Sequence, residues 1–317
     1  MPTLVKPTME PFKRILVDVD ATAIAHPALE RAVRLARSSG ATLTITDVLA
    51  VPSHARSYLP AALEEELVSE RRRQLARVAD TVTDVRAESR LLVGRPATAL
   101  VQEVLRSNYD LLMRSHARDL AALGPKPFGA VDMELLRTCP CPVLLVRHGS
   151  PAPHPQMVAA VNASSEETEE RALNTKIVEA ALMMASHLDA GAPRLLQAWV
   201  PFADRTIRSH AAADQLAVHA ENSRQRATAD LARLVQSFDG SVARLQPTLR
   251  RGAPEDVIPE FVVTEGIDLV VMGTVARGGI AGMLLGNTAE RVLRKLPCSV
   301  LTVKPDGFVS PVRVDAS

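Results

Sequence analysis

Aromatic side chains are scarce: Phe, Trp and Tyr together make up 3% of the chain, and Trp199 is the lone tryptophan. The aromatic platforms on which single-strand nucleic-acid binders stack bases are therefore excluded. An excess of one charge is missing as well. Lys and Arg number 37 against 36 Asp and Glu, a formal net charge of +1, so no global field draws the chain to nucleic acid, a membrane surface or a polyanion. Cysteine is confined to Cys139, Cys141 and Cys298. An odd set without C-x-x-C spacing supports neither a disulfide framework nor a tetrahedral zinc site, and it points to a reducing compartment. No apolar run reaches ~18 residues without a charge, and the N-terminal segment carries prolines before a charged pair where a signal peptide would have an apolar core. The expectation is a cytoplasmic protein with no membrane span, no metal site and no nucleic-acid partner. Also missing are G-x-G-x-x-G after the first strand, G-x-x-x-x-G-K-[ST], H-E-x-x-H and G-x-S-x-G. Rossmann dinucleotide binding, P-loop hydrolysis, zinc hydrolysis and triad hydrolysis lose their fingerprints, and no catalytic residue is assigned.

What is present is an ordinary globular composition, 47% hydrophobic and 23% charged, in 317 residues. At ~150 residues per domain this length suggests two domains. The halves echo each other. LRTCPCPVLLV (136–146) matches LRKLPCSVLTV (293–303), which sets Cys141 opposite Cys298. VGRPATALVQEV (93–104) matches RGAPEDVIPEFV (251–262), with Gly94 opposite Gly252 and Pro96 opposite Pro254, and YDLLM (109–113) matches IDLVV (267–271). RILVDVDA and QMVAAVNAS open the two halves alike, as short apolar runs reaching Asp20 and Asn162. Anchors in one register imply duplication. The proline-rich join HGSPAPHPQ reads as a linker, so the units are taken as 1–150 and 151–317.

Within each half, short aliphatic runs alternate with stretches of helical period. The first half predicts strands near 14–20, 41–49, 84–93, 110–115 and 142–147. Between them, 61–82 reads as an amphipathic helix through Leu63, Leu67, Leu75, Val78 and Val82. Nearly continuous aliphatics such as ILVDV and LVVMG suit a parallel sheet buried on both faces. Each half is therefore predicted to be a doubly wound α/β domain with five parallel strands. Alone, such a domain would leave VLLV or VLTV as an open edge. The two edges are expected to pair and form an internal pseudo-dimer. A homodimer of the whole chain is compatible with this but not required.

In open α/β sheets, ligands bind beyond the carboxyl ends of the strands. In the second half this directs attention to Asn162, Val200 and the stretch 270–295. That stretch holds Gly273, Gly278, Gly279, Gly282 and Gly286, five of the chain's 15 glycines. A helix starting at Gly286, Asn287 and Thr288 offers free N–H groups, a positive dipole end and a hydroxyl, with Arg277 and Arg291 supplying charge. A phosphate suits it. The competing reading is a glycine-rich turn that lets helices pack closely, with Asn287 or Thr288 as an ordinary N-cap. His116 reads as a polar loop residue, Cys141 and Cys298 as small hydrophobes, and Cys139 as the one cysteine open to a redox role.

A strand ending in MG, a glycine-rich loop and then GNTAERVLRKLPCSVLTVKPD resemble the carboxyl-terminal signature of the universal stress protein family. AVNASSEE, LRRGAPEDVIP and the KPDGFVSPV tail extend that resemblance over nearly the whole chain, to the family's tandem-domain E subfamily. The resemblance implies a non-enzymatic stress-response protein that binds ATP or a related nucleotide in its second half, with Mg2+ only alongside ATP. It implies an adenine-facing position at Asp20 in the first half and Asn162 in the second. Phosphate contacts are implied at Gly273, Ala276, Gly286, Asn287 and Thr288. Ala276 and Asn287 depart from the family pattern G-x2-G-x9-G-[S/T], standing where Gly and Ser or Thr belong. In the first half Gly129 matches Gly286, but Ala130 and Val131 replace Asn287 and Thr288, and Pro125 and Pro127 remove loop donors. No nucleotide site is expected there. The alternatives are an ATP-independent scaffold or a carrier of an apolar or nucleotide-linked ligand. An adenylyl transferase is disfavoured because its HIGH and SGGxDS motifs are missing.

Overall fold

The computed structural model describes residues 9–50, 60–116, 128–147, 152–201, 213–238, 245–274 and 285–314. The first half runs β1 (Arg14–Asp18), α1 (Pro27–Ser39), β2 (Thr42–Leu49), α2 (Ala61–Asp80), β3 (Ala87–Val93), α3 (Pro96–Ser107), β4 (Leu111–Ser115), α4 (Ala130–Thr138) and β5 (Val143–Val146). The second repeats the order: β6 (Met157–Ala160), α5 (Thr168–His187), β7 (Arg194–Trp199), α6 (Ala213–Gln236), β8 (Gln246–Arg251), α7 (Pro254–Thr264), β9 (Leu269–Gly273), α8 (Asn287–Leu293) and β10 (Ser299–Val303). Both are βα units of the kind the aliphatic runs predict. The inner strands β5, β6 and β10 are buried along their whole length, as strands covered by helices on both faces must be. The linker positions 148–151 lie outside the described residues.

All ten strands join one sheet in the order β3-β2-β1-β4-β5-β10-β9-β6-β7-β8. Every neighbouring pair is parallel except the central one. There β5 and β10 run antiparallel, with Val300 opposite Leu145, Leu301 opposite Leu144 and Thr302 opposite Val143. The two last strands thus satisfy each other's edges, as expected of two domains that would each otherwise expose one. The remaining edges are β3 and β8, whose polar sequences AESRLLV and QPTLRR discourage further pairing. The antiparallel seam also sends the carboxyl rims of the two halves to opposite ends of the sheet.

Two apolar layers cross the seam, one on each face. Ile15, Leu43, Leu144, Val271 and Leu301 face α1 and α5. Leu16, Leu145, Val270 and Val300 face α3, α4, α7 and α8. Polar bonds add register. The Arg147 N–H donates to Ser299 Oγ (3.1 Å), and Ser310 Oγ donates to the Thr138 carbonyl (2.7 Å). Lys304 Nζ donates to the Leu136 carbonyl at 2.6 Å, placing an ammonium at the negative end of α4. Its burial pushes its pKa down to about 8, with the Cys139 thiol pulling the other way.

Two expectations need correction. Along α2 only Leu75 and Val78 are buried, whereas Leu63 and Leu67 are exposed. A 20-residue helix is about 30 Å long, and the seven-residue β3 beneath it spans roughly 23 Å, so the first turns of α2 have no sheet to cover. Cys139 is fully buried, with its Sγ 3.5 Å from that of Cys141. An exposed redox thiol is therefore not what this residue is; all three cysteines fill core space. Burial raises the Cys298 thiol to about 12.

Candidate functional site

In the second half the strand order turns between β6 and β9, and the sequence-predicted residues gather around that rim. Asn162 follows β6 by two residues. Its N–H donates to Asn174 Oδ1 (3.0 Å), its carbonyl accepts from Asn174 Nδ2 (2.8 Å), and its own Nδ2 donates to Glu170 Oε2 (3.1 Å). The backbone of the rim is thus clamped from α5. Val200 follows β7 and is exposed. Gly273 ends β9, and Gly286 precedes α8 with its N–H on the Thr274 carbonyl (2.9 Å). Asn287 and Thr288 open α8 and are exposed. Ala276, Arg277 and the glycines 278, 279 and 282 lie outside the described residues.

The two described glycines at this site have different roles from those their type suggests. A Cβ on Gly273 would lie 2.7 Å from Leu173 Cδ2 and 3.1 Å from its Cγ. Glycine here lets α5 seat against β9, which is the packing reading. Gly273→Ala is expected to cost roughly 1–3 kcal/mol, read as a lower urea midpoint with an unchanged m-value; an unchanged midpoint would show that Leu173 yields freely. Gly286 has φ −59° and ψ 138°, open to any L-residue. Strain at the helix entry is therefore no consequence of replacing it, contrary to what its residue type suggests.

Sequence reasoning missed several polar groups here. Gln197, within β7, is buried and donates through Nε2 to Ser164 Oγ (2.8 Å), while its Oε1 has no partner among the described residues. The same holds for the Oγ1 of Thr274, which is fully buried. A cavity of about 470 Å³ opens beside Ser164 and Ser165, between α5 and α6. Its charged lining is Arg171, Arg226 and Arg233 against Glu166 and Asp230, an excess of one positive charge. Arg226 pairs with Glu166 and Arg233 with Asp230, which leaves Arg171, whose Nε reaches the Ser165 carbonyl at 3.2 Å.

The first half is built differently at the equivalent place. Arg114 on β4 lies between Asp18 on β1, with which it pairs closely, and Asp132 on α4 (3.0 Å). Asp132 also accepts the Gly129 N–H (2.9 Å), so the helix start that aligns with Gly286 is filled by the chain's own carboxylate. Arg71 stands 3.4 Å from both Asp20 and Asp47. Burial pushes Asp18 up to about 7 against the pull of Arg114, and Asp47 and Asp132 push it further. Burial raises Asp47 as well. The strand registers place Ala160 and Met272 where Asp18 and Arg114 stand, and Ala289 follows Gly286 as Asp132 follows Gly129. His116, expected as a polar loop residue, is buried with its ring edge-on to Phe128.

Two doubly wound parallel sheets fused through their last strands, each with a cavity at its carboxyl rim, define a tandem α/β protein. The chain belongs to the universal stress protein family, whose profile matches residues 11–147 and again 168–304. It is similar to Universal stress protein E of Photorhabdus laumondii, at 30% identity over 318 residues, covering 96% of this chain and 99% of the relative. It is likewise similar to Universal stress protein E of Escherichia coli K12, at 29% identity over 316 residues, with 97% and 98% covered. Among solved structures it shares its fold with a Pseudomonas aeruginosa PAO1 protein of unknown function (TM-score 0.69, 24% identity, 94% of this chain and 95% of that one). A universal stress protein of Archaeoglobus fulgidus gives 0.60 at 15% identity, covering 92% and 98%. The family resemblance read from the GNTAERV stretch and the duplicated anchors thus holds over both halves. Among the described residues no helix is long and apolar enough to cross a membrane.

Proposed function

We propose that this chain is a non-enzymatic, cytoplasmic stress-response protein that binds ATP or a related nucleotide in its second unit, 151–317, and not in its first, 1–150. Asn162 and Val200 stand at the base end. Gly273, Ala276, Arg277, Gly286, Asn287 and Thr288 surround the phosphates, with Mg2+ entering only as the companion of bound ATP. The observation that carries this reading is the opposite charge of the two rims. Ala289 leaves the α8 start, which Gly286, Asn287 and Thr288 open, without the carboxylate that Asp132 supplies to α4. The cavity between α5 and α6, which begins at Ala163 next to Asn162 and is lined by none of the described residues named above, adds three arginines against two carboxylates to the same rim. An anionic ligand is favoured at one rim and opposed at the other.

Calorimetry with Mg-ATP on the full chain is expected to give at most one site. Arg277→Ala is expected to weaken it about tenfold or more, the effect of losing one charge-assisted hydrogen bond to phosphate. Circular dichroism should remain unchanged, since a loop charge contributes roughly 0–1 kcal/mol to stability. Two equivalent sites, or an unchanged affinity in Arg277→Ala, would overturn the assignment. No ATP turnover is expected in the parent protein. Failure of ATP to bind at all would favour the ATP-independent scaffold or carrier, the reading that Ala276 and Asn287 support by departing from the family pattern.

A further inference from the structure

The cavity at the first-half rim is the larger of the two, about 680 Å³, and lies where β1, β2 and β4 end. It is built around two arginines, each straddled by two carboxylates: Arg71 by Asp20 and Asp47, and Arg114 by Asp18 and Asp132. When ionised, each group carries one negative charge more than it balances. Asp18 and Asp47 are 4% and 6% exposed and line the cavity, so water screens their charge little, whereas Asp20 keeps 66% of its side chain in solvent. Beside the carboxylates and arginines the wall offers Val48 and Pro96 as apolar surface and Thr22, His26 and Ser115 as polar groups, and Ile24 stands wholly in solvent at the mouth.

The second half shows that the fold does not need these charges. The same sheet geometry is achieved there with Ala160 for Asp18, Met272 for Arg114, Gln197 for Asp47 and Ala289 for Asp132. Buried ion clusters cost desolvation that apolar residues avoid. At these positions the charges occur in the first half alone, whereas the second-half cavity carries the separate pairs Arg226–Glu166 and Arg233–Asp230.

We propose that the first-half cavity binds a small organic cation, an amine or guanidine on an apolar stem, with its charged group against Asp47 and Asp20 and its stem against Val48, Pro96 and Ile24. The phosphate of a nucleotide is repelled by the same charges. Burial is the main cause of the elevated Asp18, and the neighbouring Asp47 and Asp132 add to it.

Agmatine is a suitable probe, with adenosine as the neutral comparison, in low-salt calorimetry at pH 8 on the full chain. One agmatine per chain is expected. Asp47→Asn and Asp20→Asn should each weaken it about tenfold or more, and added salt should weaken it too. Asparagine can still accept the Ala21 N–H that Asp47 Oδ2 binds at 2.9 Å, and the Thr22 N–H and hydroxyl bound by Asp20, so both variants are expected to fold. If Asp47→Asn loses its melting transition, the exposed Asp20 decides the matter alone. The proposal is overturned by no agmatine binding at millimolar concentration, by agmatine binding that both variants retain, or by adenosine binding more tightly than agmatine and falling in the same variants. The nucleotide reading is tested in the second unit, through Arg277→Ala, so either can fail without the other.

Discussion

Arg114→Met, which installs the residue found at the matching place in the second half, is expected to destabilise the protein by about 3 kcal/mol. That figure is the low end for breaking a buried ion pair, chosen because Arg114 keeps 28% of its side chain in solvent. The cost arises because Asp18 and Asp132, each with 3% of its side chain exposed, would lose their shared cation. The triple variant Asp18→Ala, Arg114→Met, Asp132→Ala reproduces the second-half set. It is expected to recover the loss and to end near the parent or about 1–4 kcal/mol above it, since a packed apolar set carries no desolvation debt. Urea midpoints of parent, single and triple variants check this, and a triple variant less stable than the single would refute it.

The same cluster sets a pH dependence. Asp18 sits at about 7 in the folded chain against an ordinary 3.8, so its protonated form is favoured by folding. Its contribution to stability is fully present below about pH 4 and is lost as pH rises to about 7. Asp18→Asn is expected to flatten the fall in stability between pH 5 and 8, as read from midpoints at the two values. Parallel profiles in parent and variant would show that Asp18 is ionised throughout.

Leu301→Ala is expected to cost about 2–5 kcal/mol, and Leu301→Asp to prevent the cooperative transition altogether. Leu301 and Leu144 face each other across the antiparallel seam and are both fully buried. Truncation removes apolar contacts at the one place where the two halves share a ladder, and little can collapse to fill a cavity between strands. A carboxylate there would be buried without any partner. The expected signature in Leu301→Ala is loss of stability in both halves together, because the apolar layers are continuous through β5 and β10. Two separate transitions, with the first half as stable as before, would show that the seam does not couple them.

The residues alone determined the duplication, the alternation of strand and helix, and the need for β5 and β10 to meet. These depend on local pattern: VLLV is apolar on both faces and VLTV is so but for Thr302, and an edge so composed must be covered wherever it lies in the chain. The rim positions Asn162 and Gly273 were legible for the same reason, since they stand at the ends of aliphatic strands, and Gly286 because it precedes a stretch of helical pattern. Only the tertiary structure decided what those positions do. Gly273 is glycine because Leu173, a hundred residues earlier in the chain, occupies the space of its side chain, and Gly286 has a backbone any residue could adopt. The pairing of Asp18 with Arg114 and Asp132, and of Arg71 with Asp20 and Asp47, was likewise invisible. Strands adjacent in the sheet are separated in the chain by whole helices, and a carboxylate's charge state depends on which cation the crossover brings beside it. The opposite charge of the two rims therefore emerged only from the packed molecule, because net charge sums over residues while binding responds to the few that share a low-dielectric cavity.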